Sequence, residues 1–84
     1  MNRHERLLQT ILRGRSDANI RFSDLRALME YLGFEERIRG SHHMYRRQGV
    51  PEKVNLQRDN GNAKPYQVRQ FRRLALKYRL GGDD

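Results

Sequence analysis

Two adjacent imidazoles, His42 and His43, lie in the run Gly40-Ser41-His42-His43-Met44-Tyr45, between a glycine turn and an apolar and aromatic alternation. Histidine is the side chain whose ordinary pKa lies near neutrality, so it can take and return a proton under cellular conditions. In a chain this rich in arginine, a phosphodiester is the substrate that suits such a group. Metal-free RNA cleavage asks for a base to remove the 2′-hydroxyl proton, a cation for the charge on a phosphorane-like transition state, and an acid for the leaving 5′-oxygen. His42 qualifies as the base. Arg37, Arg39, Arg46, Arg47, Lys53 and Lys64 are candidate cations, and Arg39 and Arg46 lie near His42 along the hairpin if Gly40-Ser41 is its turn. The acid has no assignment, because alternation along a strand sends His43 to the face opposite His42. The plain alternative is that the two histidines are hydrogen-bonding or surface residues. No metal site is expected: His4, His42 and His43 lack ligand spacing, strand neighbours cannot share an ion on one face, and no carboxylate is evidently placed with them.

The rest of the composition narrows the class. With 84 residues, no Cys and no Trp, the chain has material for one small domain, and disulfides, Cys-ligated zinc and dithiol redox chemistry are excluded. A hydrophobic fraction of 36% beside 33% charged residues suits a thin core under a solvated surface rather than a disordered chain. Lys and Arg number 18 against 10 acids, giving a net charge of +8 and a pI near 10.8. That surplus attracts polyanions, of which nucleic acid is the commonest, although an anionic membrane surface or an acidic protein satisfies the same charge. No apolar run is long enough to span a bilayer and no signal peptide leads the sequence, so a cytoplasmic protein without a cofactor is expected.

The elements that must position His42 follow from periodicity. Leu7, Leu8, Ile11 and Leu12 give residues 3–13 the stripe of an amphipathic helix, closed by Gly14. That helix is expected to fold back on the core; left unpacked, its stripe would seek a partner chain. Ser23 reads as the N-cap of a second helix with Asp24 in its first turn, Leu25, Leu28, Met29 and Leu32 as its buried stripe and Gly33 as its end. From Phe34 the period changes to two. Phe34, Glu36 and Ile38 share one strand face; after the turn, His42, Met44 and Arg46 share one face, and His43, Tyr45 and Arg47 the other. Gln48–Glu52 reads as a second turn and Lys53–Gln57 as a third strand, with Val54 and Leu56 inward. Residues 58–64 read as a polar loop, since no apolar strand follows Asn60-Gly61. Pro65 opens a last helix on Val68, Phe71, Leu74, Ala75 and Tyr78. Its other side carries Arg69, Arg72 and Arg73; opposite an apolar stripe such charges are ordinarily a solvated face, but the basic surplus assigns them to phosphate contact. The whole is an α+β layer, a three-stranded antiparallel sheet with helices on one face: a single domain over 1–84, with a leading helix at 3–13, a core at 20–79 and a disordered tail at 80–84.

Helix, three-stranded meander, helix is also the layout of the double-stranded-RNA-binding fold, and the chain resembles one branch of it, the HicA toxin family. The resemblance rests on Ser23-x-Leu25-x-x-Leu28-Met29-x-x-Leu32-Gly33-Phe34, on Arg39-Gly40-Ser41-His42-His43-Met44-Tyr45, and on Lys64-Pro65 opening the last helix. It covers roughly residues 20 to 78. The resemblance implies a small RNA-cleaving toxin, an mRNA interferase of a type II toxin–antitoxin system, neutralised by a HicB-type antitoxin. It puts the catalytic histidine at His42, directly after Gly40-Ser41, with His43 second; the charge surplus and chain positions, not the resemblance, make Arg39, Arg46, Arg47, Lys64, Arg69, Arg72 and Arg73 the RNA-binding candidates. Two departures mark this chain: the leading helix lies outside the usual short domain, and Lys64-Pro65-Tyr66-Gln67 stands where many members have Lys-Pro-Gly-Thr. The alternative on the same basic surface is a non-catalytic RNA- or DNA-binding module, from which only Gly40-Ser41-His42 separates the enzyme.

Overall fold

The computed structural model describes residues 1–82, and its sheet is organised by the glycine turn. Gly40 takes a φ of 56°, a left-handed backbone that costs nothing where there is no Cβ. The two-residue turn Gly40-Ser41 joins β1 (Glu35–Arg39) to β2 (His42–Arg47), pairing Arg39 with His42, Ile38 with His43 and Glu36 with Tyr45. A second turn at Gln48-Gly49 leads into β3 (Val50–Leu56), and the antiparallel order is β1-β2-β3. That turn is shorter than the segment 48–52 expected from sequence, because Arg47 already pairs with Val50. The register then shifts between Tyr45 and Arg47. Pro51, which has no N–H to give a ladder, sits in this irregular stretch.

Helices α2 (Phe22–Tyr31) and α3 (Pro65–Lys77) cover one sheet face, and α1 (Arg3–Arg13) packs against both helices. Tyr45, Val54 and Leu56 enter the same buried cluster as Phe22, Leu25, Leu28 and Met29 of α2 and Val68 and Phe71 of α3. The α+β layer with helices on a single face therefore stands. Helix α1 closes the core from outside the three-stranded layout, with Leu8 and Ile11 buried and Leu7 and Leu12 packed against the cluster. A capping box fixes its start: Asn2 Oδ1 accepts from the Glu5 N–H at 2.8 Å, and the Asn2 N–H donates to Glu5 Oε1 at 2.9 Å. Gly14, at φ 73°, ends it.

Three local expectations are corrected by contacts distant in sequence. Helix α2 begins one residue before Ser23, and its first free N–H is met by backbone: the Phe22 N–H donates to Gly61 O at 3.0 Å, and beside it the Ile20 carbonyl accepts from the Ala63 N–H at 2.8 Å. The carbonyl that meets Phe22 belongs to Gly61, within residues 58–64, where the local pattern predicts a polar loop. Residues 58–63 form a small hairpin, β4 (Arg58–Asp59) and β5 (Asn62–Ala63), whose turn residues Asn60 and Gly61 both have positive φ. Only Ala63 of that hairpin is buried, so the expected apolar strand is replaced by backbone pairing. Finally, Leu80 is not tail but core: it is buried, and its N–H donates to Ala75 O at 3.0 Å. Residues 83 and 84 of the expected tail lie outside the described residues.

The docking of α1 has a measurable consequence. Ile11→Ala leaves a cavity in a site with no exposure and is expected to lower the unfolding free energy by about 2–5 kcal/mol. Urea titration checks it; a loss below about 0.5 kcal/mol, the ordinary size of a surface change, would mean that α1 is not part of the core.

Candidate active site on the open sheet face

Because the helices take one face, alternation leaves the other to solvent. That outer face carries Glu35, Arg37 and Arg39 from β1, His42, Met44 and Arg46 from β2, and Lys53 and Asn55 from β3. His42 is exposed there, beside the turn, with Nδ1 3.4 Å from Asn55 Oδ1. Arg37, Arg39, Arg46 and Lys53 are also exposed and, with Glu35 and Glu36, border one shallow hollow around Met44. None of these four cations forms an ion pair among the described residues. The result is an imidazole at one end of a surface on which cations outnumber carboxylates.

The structure sorts the remaining candidates. Arg47 points to the inner side, where its guanidinium stands 6.0 Å from the centre of the Phe34 ring. Arg73 and Lys53 line one hollow between α3 and β3, so Arg73 extends the basic surface around the sheet edge. Lys64 caps the start of α3 and Arg69 lies exposed on that helix; neither is on the His42 face. Arg72 is corrected from the phosphate-contact set. Its guanidinium grips both Asp17 oxygens, at 2.8 and 3.0 Å, and donates to Ile11 O at 3.0 Å. It joins α3 to the end of α1, and the bond to Arg72 is the leading reason the Asp17 carboxyl is held below its ordinary range. Gly14 leaves room for it, since a Cβ there would stand 3.3 Å from Arg72 Cζ.

His43 has an equally definite place, on the inner face. Its ring meets Phe22 edge-on, with centroids 4.8 Å apart, and its Nδ1 lies 3.1 Å from Glu36 Oε2. Glu36 also accepts both donors of Arg26, at 2.6 and 2.9 Å, and the hydroxyl of Tyr45 at 2.5 Å. The local sequence marks this carboxylate only as a strand position. Its alignment with Tyr45 follows from counting back across the Gly40-Ser41 turn, whereas its pairing with Arg26 depends on how α2 packs. The Arg26 bonds first, then those of Tyr45 and His43, hold Glu36 down at about 2 against the opposing effect of burial. Burial, followed by the bond to Glu36, pushes the Tyr45 hydroxyl up. His43 is thus packed on the helix-covered side, on the opposite face of β2 from His42. Among the described residues no three His, Asp or Glu side chains are grouped to hold a metal ion, and no helix is long and apolar enough to cross a membrane.

A family model described as the HicA toxin of bacterial toxin–antitoxin matches residues 22–77, from the first residue of α2 to the last of α3. No curated protein and no solved structure matches the chain.

The Glu36 cluster predicts an acid-labile fold. A carboxylate whose folded pKa is depressed stabilises the protein above its unfolded pKa and loses that contribution as pH falls toward the folded value. The stabilisation from Glu36 is therefore fully present at pH 7 and is lost from about pH 4.5 down to about 2. Glu36→Gln is expected to be less stable than wild type at pH 7, with the gap closing below pH 4. Unfolding curves that stay parallel from pH 7 to 3 would contradict this.

Proposed function

The chain belongs to the HicA toxin family, matched over 22–77, and as such is a toxin of a toxin–antitoxin pair; we propose that it acts as a metal-independent endoribonuclease on mRNA with His42 as its base. The observation that supports this most is the placement of His42: exposed, opposite Arg39, on an open face it shares with three further cations, none of the four in an ion pair among the described residues. A structural histidine is held in place by its neighbours, as His43 is. His42 instead has one polar contact and presents the rest of its ring to solvent.

In the proposed reaction, His42 takes the proton of a ribose 2′-hydroxyl and the oxygen attacks the adjacent phosphorus. Arg39 beside it, with Arg37, Arg46 and Lys53 along the face, stabilises the charge gathering on the phosphoryl oxygens. The P–O5′ bond breaks, and the leaving oxygen takes a proton from the imidazolium or from water. The products are a 2′,3′-cyclic phosphate and a 5′-hydroxyl. One imidazole serving both proton transfers performs each imperfectly, which suits a slow enzyme whose effect accumulates in the cell. A cation face reads backbone rather than base edges, so little sequence preference is expected from it. A HicB-type antitoxin is the proposed neutralising partner and the cytoplasm the proposed place of action.

With purified, folded protein and a single-stranded RNA, wild type is expected to cut in the presence of EDTA, leaving 5′-hydroxyl ends. His42→Ala is expected to reduce the rate by about 10²–10⁴-fold, the usual contribution of a positioned acid–base group. Arg46→Ala and Lys53→Ala should each lessen the salt dependence of RNA affinity by about one phosphate contact. Cleavage by His42→Ala at the wild-type rate would sink the assignment. RNA binding without cleavage by wild type would make the protein a binding module.

A further inference from the structure

Strand β3 brings one uncharged polar side chain to His42. Asn55 lies opposite Met44 in the β2–β3 ladder, which makes it the diagonal neighbour of His42 on the same face. Its Oδ1 is 3.4 Å from His42 Nδ1, and its side chain makes no other hydrogen bond among the described residues. Asparagine is disfavoured within strands, where it competes for backbone bonds and packs poorly. Val54 and Leu56 on either side are buried and serve the core, whereas Asn55 is half-buried on the outer face and serves neither core nor turn.

We propose that Asn55 is the positioning residue for His42, holding the neutral ring in the tautomer with the proton on Nδ1 and so leaving Nε2 bare to act as base. This deepens the ribonuclease reading and rests on it. The chemistry is that of the amide oxygen, which can only accept. A hydrogen bond to it requires the hydrogen on Nδ1, and a neutral imidazole carries one ring hydrogen. Nε2 then holds the lone pair, on the far side of the ring from Asn55. The contact also limits rotation of a side chain that is otherwise exposed, and a base must be held within hydrogen-bond reach of the hydroxyl it deprotonates. An imidazole with no partner favours the opposite tautomer, with Nε2 protonated, so the orientation is one that Asn55 imposes. Turned about, the Asn55 amide would donate to Nδ1 and impose the reverse.

The tautomer is read directly by two-bond ¹H–¹⁵N correlation of the His42 ring, in protein held above neutral pH, for wild type, Asn55→Ala and Asn55→Asp. The expected wild-type pattern is a protonated Nδ1 and a bare Nε2. Asn55→Ala should shift it toward protonated Nε2, and Asn55→Asp, which keeps an acceptor, should restore it. On single-stranded RNA, Asn55→Ala should lower kcat by about 10–100-fold, the usual cost of losing a group that orients an active residue, with KM little changed and Asn55→Asp recovering much of the rate. A wild-type His42 protonated on Nε2, or an Asn55→Ala protein with unchanged kcat, overturns the proposal. Cleavage absent from a wild type that shows the expected tautomer overturns instead the ribonuclease reading, and the catalytic role of Asn55 with it.

Discussion

The Glu36 carboxylate is the point on which the sheet turns. It receives Arg26 from α2, Tyr45 from the neighbouring strand, and the ring of His43. Those bonds tie β1, β2 and α2 together at the edge of the core, and they decide which side of β2 is buried. Side chains alternate along a strand, so a slip of one residue would exchange the two faces entirely. With Tyr45 buried and His43 held beneath the sheet, His42 is obliged to face outward. The tight turn at Gly40-Ser41 sets the same register from the other end. Two devices, one a hydrogen-bonded cluster and one a glycine backbone, thus enforce a single arrangement.

The same division runs through the charges. A surplus of +8 could be spent on ion pairs with the acids, and part of it is. Arg72 is consumed by Asp17 and Ile11 O, and Arg26 by Glu36. Both cations sit partly covered at junctions between elements, where a bidentate grip is worth more than an exposed pair. Lys77 with Glu52 is such an exposed pair and contributes little. The cations left over include Arg37, Arg39, Arg46 and Lys53, which converge on the face that has no helix. They repel one another there, and the polyanion of the proposed function would relieve that repulsion. Core stability and the proposed activity are therefore carried by different sides of one three-stranded sheet.

Local patterns made much of this legible in the sequence. The leucine and isoleucine stripe marked α1 residue for residue, Pro65 marked the start of α3, and the alternation around Gly40-Ser41 separated His42 from His43. What remained hidden lay in contacts between distant segments. Ser23 looked like a cap because serine often is one; the carbonyl that meets Phe22 comes from Gly61, which no local window includes. The β4–β5 hairpin lacks the apolar signature of a strand and is held by backbone pairing. Arg72 was indistinguishable from Arg69 and Arg73 in a row of cations, and only the packing of α3 against Gly14 and Asp17 sets it apart. Leu80 follows the last helical turn, where the local pattern gives only tail, yet it returns to the core. Asn55 carried one weak signal, a polar residue between two buried aliphatic ones, whose meaning depends on the register beside it.

The measurement that tests this account most directly compares neighbouring histidines. His42→Gln and His43→Gln are each assayed for RNA cleavage per folded molecule and for unfolding free energy. The account predicts a crossed result: His42→Gln keeps wild-type stability and loses cleavage, whereas His43→Gln unfolds more easily and still cuts while folded. Cleavage lost through His43 but retained without His42, or both substitutions costing stability alone, would contradict the assignment of catalysis to the outer face.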